Sequence, residues 1–85
     1  MKANEAIERA VKELTELSKL KPSGVTGVFK DERGWHVTIE MVEKKSIPDA
    51  MDLLGNYEVI LNEDGELISY ERKGLRKRSD TGEEG

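Results

Sequence analysis

Two short turn sequences, each opening with Asp or Asn and closing with glycine, limit what this chain can fold into. They are Asp31-Glu32-Arg33-Gly34 and Asn62-Glu63-Asp64-Gly65. Asp and Asn favour the first position of a type I turn, and glycine accepts the left-handed backbone that often follows it. Runs of residues with high β-strand propensity flank both turns. We therefore predict two β-hairpins, with strands at 25–30, 35–42, 57–62 and 66–72.

The register of the first hairpin decides which of its side chains share a face of the sheet. A three-residue loop gives one continuous apolar face that ends at Trp35, through the pairs Phe29–Val37, Gly27–Ile39 and Val25–Met41. Gly27 also allows close approach of a helix with small side chains. We expect the Ala-rich face of the N-terminal helix to lie over it.

The second hairpin has two possible registers. A two-residue Asp64-Gly65 turn pairs Val59 with Tyr70 and Leu61 with Ile68. A three-residue loop instead places Ser69 opposite Val59 and Leu67 opposite Leu61. The two-residue turn buries more apolar surface, so we favour it while leaving the alternative open.

The N-terminal segment has the pattern of an amphipathic helix. Apolar residues recur there at steps of three and four, which places them on one helical face. Pro22 disfavours helical backbone angles at Lys21, so the helix should end near Leu20. The residues of the apolar face are Ala3, Ala6, Ile7, Ala10, Val11, Leu14 and Leu17.

Residues 46–55 connect the two predicted hairpins. Ile47, Met51 and Leu54 share a helical face, Pro48 suits a first helical position and Gly55 suits a C-terminal cap. We predict one or two helical turns here. The fold class is then α+β, with an N-terminal amphipathic helix packed on a four-stranded antiparallel sheet made of two hairpins joined by a short helical turn.

The length of 85 residues suits one domain with a modest core. We assign residues 1–73 to a single α+β domain and residues 74–85 to a flexible charged C-terminal tail. The tail assignment rests on its scarcity of apolar residues and its runs of charge, first basic and then acidic.

Composition excludes several classes of function. The chain has no cysteine, so disulfides, thiolate nucleophiles and sulfur-ligated zinc or iron sites are excluded. No apolar run approaches the roughly 18 residues that span a bilayer, and no signal-peptide pattern opens the sequence, which predicts a cytoplasmic protein without a membrane partner. The net charge of −4 argues against nucleic acid as a general partner.

The sequence contains no recognisable catalytic or cofactor-binding motif. His36 is the single histidine, with no nucleophile placed beside it by a local motif, and its alternation in the strand predicts a surface or half-buried position facing away from Trp35. Carboxylates are abundant but unpaired by any recognisable spacing. We therefore predict no catalytic residues, no cofactor, no metal, no small-molecule substrate and no enzymatic activity.

The segment 34–72, GWHVTIEMVEKKSIPDAMDLLGNYEVILNEDGELISYER, carries a family resemblance. Its telling pieces, in this order and spacing, are Gly34-Trp35, Val42-Glu43, Ile47-Pro48-Asp49, Tyr57-Glu58-Val59, Asp64-Gly65-Glu66-Leu67 and Tyr70. In these it closely resembles the gas vesicle protein O family. Members of that family continue with a basic and aromatic segment, whereas residues 73–78 here are basic without an aromatic residue.

The resemblance implies an accessory protein for making gas vesicles, the protein-walled, gas-filled organelles that give buoyancy to some bacteria and archaea. It also implies other gas vesicle proteins as partners and a location in association with gas vesicles. The leading hypothesis is an adaptor or chaperone-like protein that offers a sheet edge or an exposed surface. The residues that we expect to bind partners are Trp35, Ile47, Met51, Leu54, Arg72, Arg76 and Arg78.

Two other classes of function were weighed. A regulatory module could bind nucleic acid through the basic stretch from Arg72 to Arg78. An inhibitory or sensing module of the PepSY type has a similar order of elements, but such domains ordinarily carry a secretion signal, which disfavours this third hypothesis.

Overall fold

One helix and four antiparallel strands make up residues 1–79, the part of the chain that the computed structural model describes. The strands form one sheet in the order β1-β2-β3-β4, and the helix packs on one of its faces. The predicted fold class is therefore confirmed. The elements are α1 (Ala3–Ser18), β1 (Lys21–Asp31), β2 (Gly34–Lys44), a single 3-10 turn (Asp49–Met51), β3 (Leu53–Leu61) and β4 (Leu67–Lys77).

Both ends of α1 have a local cause. At its start, the backbone amide of Lys2 donates a hydrogen bond of 2.7 Å to the Glu5 carboxylate, which supplies one half of a capping box. At its end, Lys19 adopts a left-handed conformation with φ of 64°, and its amide donates to the Thr15 carbonyl at 2.9 Å. The helix thus ends at Ser18, two residues before the predicted boundary, and Pro22 lies inside β1.

The core lies between α1 and the two middle strands. The helix contributes Ala6, Ala10 and Leu14, all fully buried. Two of these are alanines, whose small side chains allow the helix backbone to approach the sheet closely. The strands supply Val37, Ile39 and Met41 from β2 and Tyr57, Val59 and Leu61 from β3.

The expectation that α1 lies over Gly27 is wrong. Gly27 is exposed in β1, and a Cβ atom added to it would meet no other atom within 4 Å. The buried helix face packs instead with the large apolar side chains of the middle strands and, within β1, with Val28. Gly27 is thus a position on a solvent-facing edge strand.

The register predicted for the first hairpin is wrong by one residue at Phe29 and Gly27 and by two at Val25, which pairs with Ile39 instead of Met41. Asp31 pairs with Gly34 across a two-residue turn, and Phe29 pairs with His36 instead of Val37. The Asp31 carboxylate stabilises this tighter turn because it accepts a hydrogen bond of 2.9 Å from the Arg33 amide. The shift packs Val28 against the core and leaves Phe29 54 % exposed.

The second hairpin contains both registers that the sequence allowed. The three-residue loop places Leu67 opposite Leu61, whereas Tyr70 lies opposite Val59, as the favoured two-residue turn would have it. One extra residue in β4, Ile68, separates the two registers. Neither of the two registers therefore holds over the whole hairpin.

Both edge strands are interrupted twice in this way. In β1 the extra residues are Ser23 and Thr26, and in β4 they are Ile68 and Lys73. Each extra residue increases the local twist and breaks the ladder of backbone groups that a further strand would use. The two edges are thus poor templates for addition of a long strand.

The strand β4 continues past the predicted start of the tail. Residues 74–77 pair with the first residues of β3, and Arg78 and Ser79 donate backbone hydrogen bonds to Asp52 and Ala50. This pairing depends on a partner strand that the composition of residues 74–79 does not reveal. The remainder of the predicted tail, residues 80–85, lies outside the described residues.

Candidate functional site

A surface loop between β2 and β3, residues 45–52, combines exposed apolar side chains with a buried carboxylate that holds it in place. We call it the connecting loop. Its last residue, Asp52, is fully buried although it is an acid. One carboxylate oxygen accepts a hydrogen bond of 2.8 Å from the Ser46 amide, and the other accepts one of 3.2 Å from Lys45 Nζ. Asp52 therefore ties both ends of the loop together.

Arg78 joins the connecting loop to the end of β4. Its guanidinium donates to Asp52 Oδ2 from Nη2 at 3.1 Å and from Nε at 3.3 Å, and its backbone amide donates to the Asp52 carbonyl at 2.8 Å. The Ser46 amide hydrogen bond, aided by Lys45 and Arg78, lowers the pKa of Asp52 below its ordinary value despite the opposing effect of burial. The carboxylate is thus held in its ionised form.

The three apolar residues predicted to share a binding face of this loop are divided by the structure. Ile47 is 100 % exposed, and Met51 is 43 % exposed on the 3-10 turn. Leu54 is only 1 % exposed because it lies inside β3 and not on a continuation of the turn. The connecting loop therefore presents Ile47 and Met51 to solvent, while Leu54 is buried within the fold.

Trp35 lies half-buried at the start of β2, next to the first hairpin turn. Its ring packs against the core cluster, and Lys30 Nζ lies 5.7 Å from the ring centroid, within the range of a cation–π contact. Leu61 is its cross-strand neighbour in β3. These contacts give Trp35 a packing role at the rim of the core and leave only part of its surface open.

The three arginines predicted to bind partners each contact a carboxylate of the same chain. Arg72 Nη1 lies 3.7 Å from Glu43, and Arg78 holds Asp52 as described. Arg76 makes the tightest pair, with Nε 2.7 Å and Nη2 2.9 Å from the two carboxylate oxygens of Glu40, a bidentate arrangement. The positive charge of these arginines is thus largely offset by carboxylates of β2 and of the connecting loop.

A charged cluster on the sheet face opposite α1 was missed by the sequence reading. His36 is 4 % exposed, and both of its ring nitrogens face carboxylates. Nε2 lies 2.8 Å from Asp31 Oδ1, and Nδ1 lies 3.0 Å from Glu58 Oε2. Phe29 stacks on the imidazole with ring centroids 4.5 Å apart and planes inclined by 7°. We call Asp31, His36 and Glu58 the histidine cluster.

The histidine cluster perturbs both of its acids. The hydrogen bond with His36 is the main cause that lowers the pKa of Glu58, with burial opposing it and Lys73 adding to it. Burial works against ionisation of Asp31, but the hydrogen bonds from His36 and from the Arg33 amide outweigh it and lower the pKa of that carboxyl. Both acids are therefore held as carboxylates.

Metal-binding clusters and membrane-spanning helices are absent from residues 1–79. That part of the chain holds no group of three or more His, Asp or Glu side chains arranged to bind a metal ion. The two carboxylates of the histidine cluster contact different nitrogens of one ring. No helix among the described residues has the length and apolar character needed to cross a bilayer.

The fold and its surface define a small helix-on-sheet α+β domain with an apolar loop tip. The sequence profile described as "Gas vesicle synthesis protein GvpO" matches residues 1–82, nearly the whole chain. The chain therefore belongs to the gas vesicle protein O family, as the resemblance of residues 34–72 indicated.

Named relatives agree with this assignment. The chain is 38 % identical to "Gas vesicle protein O" of Streptomyces sp. (strain CB03234) over 73 residues, which cover 84 % of this chain and 57 % of the relative. It is 33 % identical to "Gas vesicle protein O1" of Halobacterium salinarum over 61 residues, which cover 72 % of this chain and 51 % of that protein. The aligned part is thus little more than half the length of either relative. No solved structure shows a significant match.

Proposed function

We propose that this chain takes part in gas vesicle synthesis as a non-enzymatic adaptor that binds another gas vesicle protein through the connecting loop. Membership of the gas vesicle protein O family supports the process. The observation that carries the surface is Ile47, a fully exposed isoleucine on a loop whose ends are fixed by a buried aspartate. Met51 extends the apolar surface from the same loop.

The physical advantage of such a loop is its preorganisation. A partner that covered Ile47 would remove its side chain from water, which is worth roughly 1.5–3 kcal/mol for a residue of this size. Because Asp52 already fixes both ends of the loop, little conformational entropy is lost when the partner binds. The gain from burial is then available as binding free energy.

Contact through side chains suits this sheet better than contact through a strand. The extra residues in β1 and β4 interrupt both edges, so a partner strand could not follow either of them over its full length. The connecting loop needs no backbone ladder to be recognised. The interrupted edges therefore favour the loop over the sheet edge as the surface for a gas vesicle protein.

The ion pairs of the basic segment weaken support for nucleic acid as the partner. Nucleic-acid binding requires protein cations that can neutralise phosphates and so release the counterions of the nucleic acid. The guanidinium groups of Arg72, Arg76 and Arg78 already contact carboxylates of this chain. We therefore favour a protein partner and propose no nucleic-acid function.

The decisive experiment is affinity capture of the individual gas vesicle proteins of the same organism, each produced with a tag. The double variant Ile47→Ser, Met51→Ser should lose at least one interaction by about tenfold or more, since two exposed apolar side chains are removed. Its circular dichroism and melting temperature should match those of the parent, because neither residue is in the core.

The matched control is Val25→Ser, which removes an exposed apolar side chain from β1, outside the loop. It should leave capture unchanged. The proposal fails if the loop variant binds every gas vesicle protein as strongly as the parent does, or if the parent binds none of them. Leu54 is unsuitable for this test, because its burial means that a polar substitution would disturb the fold itself.

A further inference from the structure

The hydrogen bonds of His36 require more protons than a neutral imidazole has. Both of its ring nitrogens lie within hydrogen-bond distance of a carboxylate oxygen, at 2.8 and 3.0 Å. A carboxylate can only accept, so each nitrogen must carry a proton for both contacts to be hydrogen bonds. A neutral ring carries one N–H, and its other nitrogen would present a lone pair to an anion.

The side chains of the histidine cluster come from three strands and connect them. Asp31 is the last residue of β1, His36 lies in β2, and Glu58 lies in β3. The fourth strand contributes Lys73, whose Nζ lies 3.6 Å from Glu58 and 3.4 Å from Glu71. Neutral contacts come from Phe29, which covers the ring on one side. The cluster thus fastens the tip of the first hairpin to the middle of the sheet.

We propose that His36 is a pH-sensitive clasp, which as an imidazolium holds residues 29–36, the hairpin tip, against the sheet and on losing a proton lets that tip loosen. The clasp shares no residue with the connecting loop. Loss of the proton replaces one charge-assisted hydrogen bond by contact between a lone pair and a carboxylate, and it leaves two anions beside a neutral ring. Stability at the tip should therefore fall as pH rises.

The other charges near the ring do not replace it. Within residues 1–79, the carboxylates that Lys73 contacts are those of Glu58 and Glu71, so it offsets part of the charge on the Glu58 side of the ring. On the other side, Asp31 receives hydrogen bonds from backbone amides, which remain after the ring is neutral. The side chain of Asp31 is 42 % exposed, so water screens part of its interaction and the effect should be local.

Protonation can be read directly by proton–nitrogen correlation spectra of the imidazole ring in the intact chain. At pH 6 both ring nitrogens should show the signature of N–H groups. A single neutral tautomer at that pH would overturn the proposal, because the two carboxylates would then not be held by an imidazolium.

Loosening can be read by amide hydrogen exchange, corrected for the intrinsic effect of pH. Protection of the hairpin tip should drop on the order of tenfold between pH 6 and pH 9, as expected for loss of one charge-assisted hydrogen bond. The amides beside Asp52 are the internal reference, since the cationic partners of that carboxylate are Lys45 and Arg78, which contain no imidazole. Equal changes at both places would contradict a local clasp.

A matched variant separates the clasp from general effects of pH. The double substitution Asp31→Asn, Glu58→Gln keeps polar groups of similar size but removes both negative charges. Its hairpin tip should show no pH-dependent change in protection over the same range. If the variant keeps the full dependence of the parent, another group is responsible. If the variant does not fold, the ring spectra and exchange of the parent chain decide the question alone.

Discussion

The hydroxyl of Tyr57 donates a hydrogen bond of 2.5 Å to Glu43 Oε2, which joins β3 to β2 on the sheet face that α1 covers. Glu43 can reach it because it is the extra residue of β2, between the positions of Val42 and Lys44 that pair with β3. Burial, with a further contribution from the adjacent carboxylate, raises the pKa of Tyr57 to about 12. This contact leads to the first two predictions.

The first prediction concerns stability at high pH. Because the pKa of Tyr57 is higher in the folded state than its ordinary value of 10.0, the folded state holds this proton more tightly than the unfolded chain does. The contribution, on the order of 2 kcal/mol, should be complete below about pH 10 and disappear as pH rises towards about 12. Spectrophotometric titration, taken as the difference between the parent and Tyr57→Phe, isolates this group. An ionisation in the difference curve near pH 10 would contradict the prediction.

The second prediction concerns Gly55, which lies beneath the same contact. A Cβ atom at this position would collide with the Glu43 carboxylate and would lie 2.9 Å from Tyr57 Cε1. Gly55→Ala should therefore displace Glu43 from Tyr57 and destabilise the fold by about 1–3 kcal/mol, the usual cost of overpacking. Urea denaturation measures this loss.

The control for Gly55 is Gly74→Ala in β4, where an added Cβ would meet no atom within 4 Å. Because alanine restricts the unfolded chain more than glycine does, this variant should be unchanged or more stable by up to about 1 kcal/mol. A loss for Gly74→Ala as large as that for Gly55→Ala would show that crowding at Glu43 is not the cause.

The third prediction concerns Asp52. Its pKa is lowered in the folded state, so the stability that it provides should be present above the ordinary value of 3.8 and be lost as pH falls through the lower folded value. Asp52→Asn should therefore lower the melting temperature at neutral pH and reduce the sensitivity of the fold to acid.

Asp49→Asn provides the comparison for Asp52. Asp49 is 78 % exposed and contacts only one of the same cations, Lys45, at 3.7 Å. Its substitution should change the melting temperature far less, since exposed ion pairs contribute little. Similar losses for the two variants would argue against Asp52 as the anchor of the connecting loop.

The elements of this fold could be predicted because each has a local signal. Spacing of apolar residues gave α1, and the turn sequences ending at Gly34 and Gly65 gave both hairpins. The registers of the strands in the two hairpins were harder to predict, because one carboxylate can change the length of a turn. Asp31 favours the two-residue turn, and an extra residue at Ile68 allows the second hairpin to change register partway. Such extra residues in a strand cannot be recognised from the types of residue in the sequence.

The clusters of charge could not be predicted because their members are distant in sequence. His36 and Glu58 are separated by 22 residues, and Asp52 and Arg78 by 26. The alternation of β2 and β3 puts His36 and Glu58 on one face only once the register between the strands is known. Asp52 has the appearance of an ordinary loop acid in the sequence. The exposure of Ile47, by contrast, agrees with its predicted place in a connection between elements.

The extra residues in β1 and β4 also limit how this chain can pair with the strands of another chain. Between its two extra residues, β4 pairs regularly over residues 69–72, and β1 pairs regularly over residues 27–31, from its second extra residue to the first turn. A strand of a neighbouring chain that began to pair along either edge would lose its hydrogen-bonding register after a few residues. Copies of this domain are therefore poorly suited to joining edge to edge into one continuous sheet.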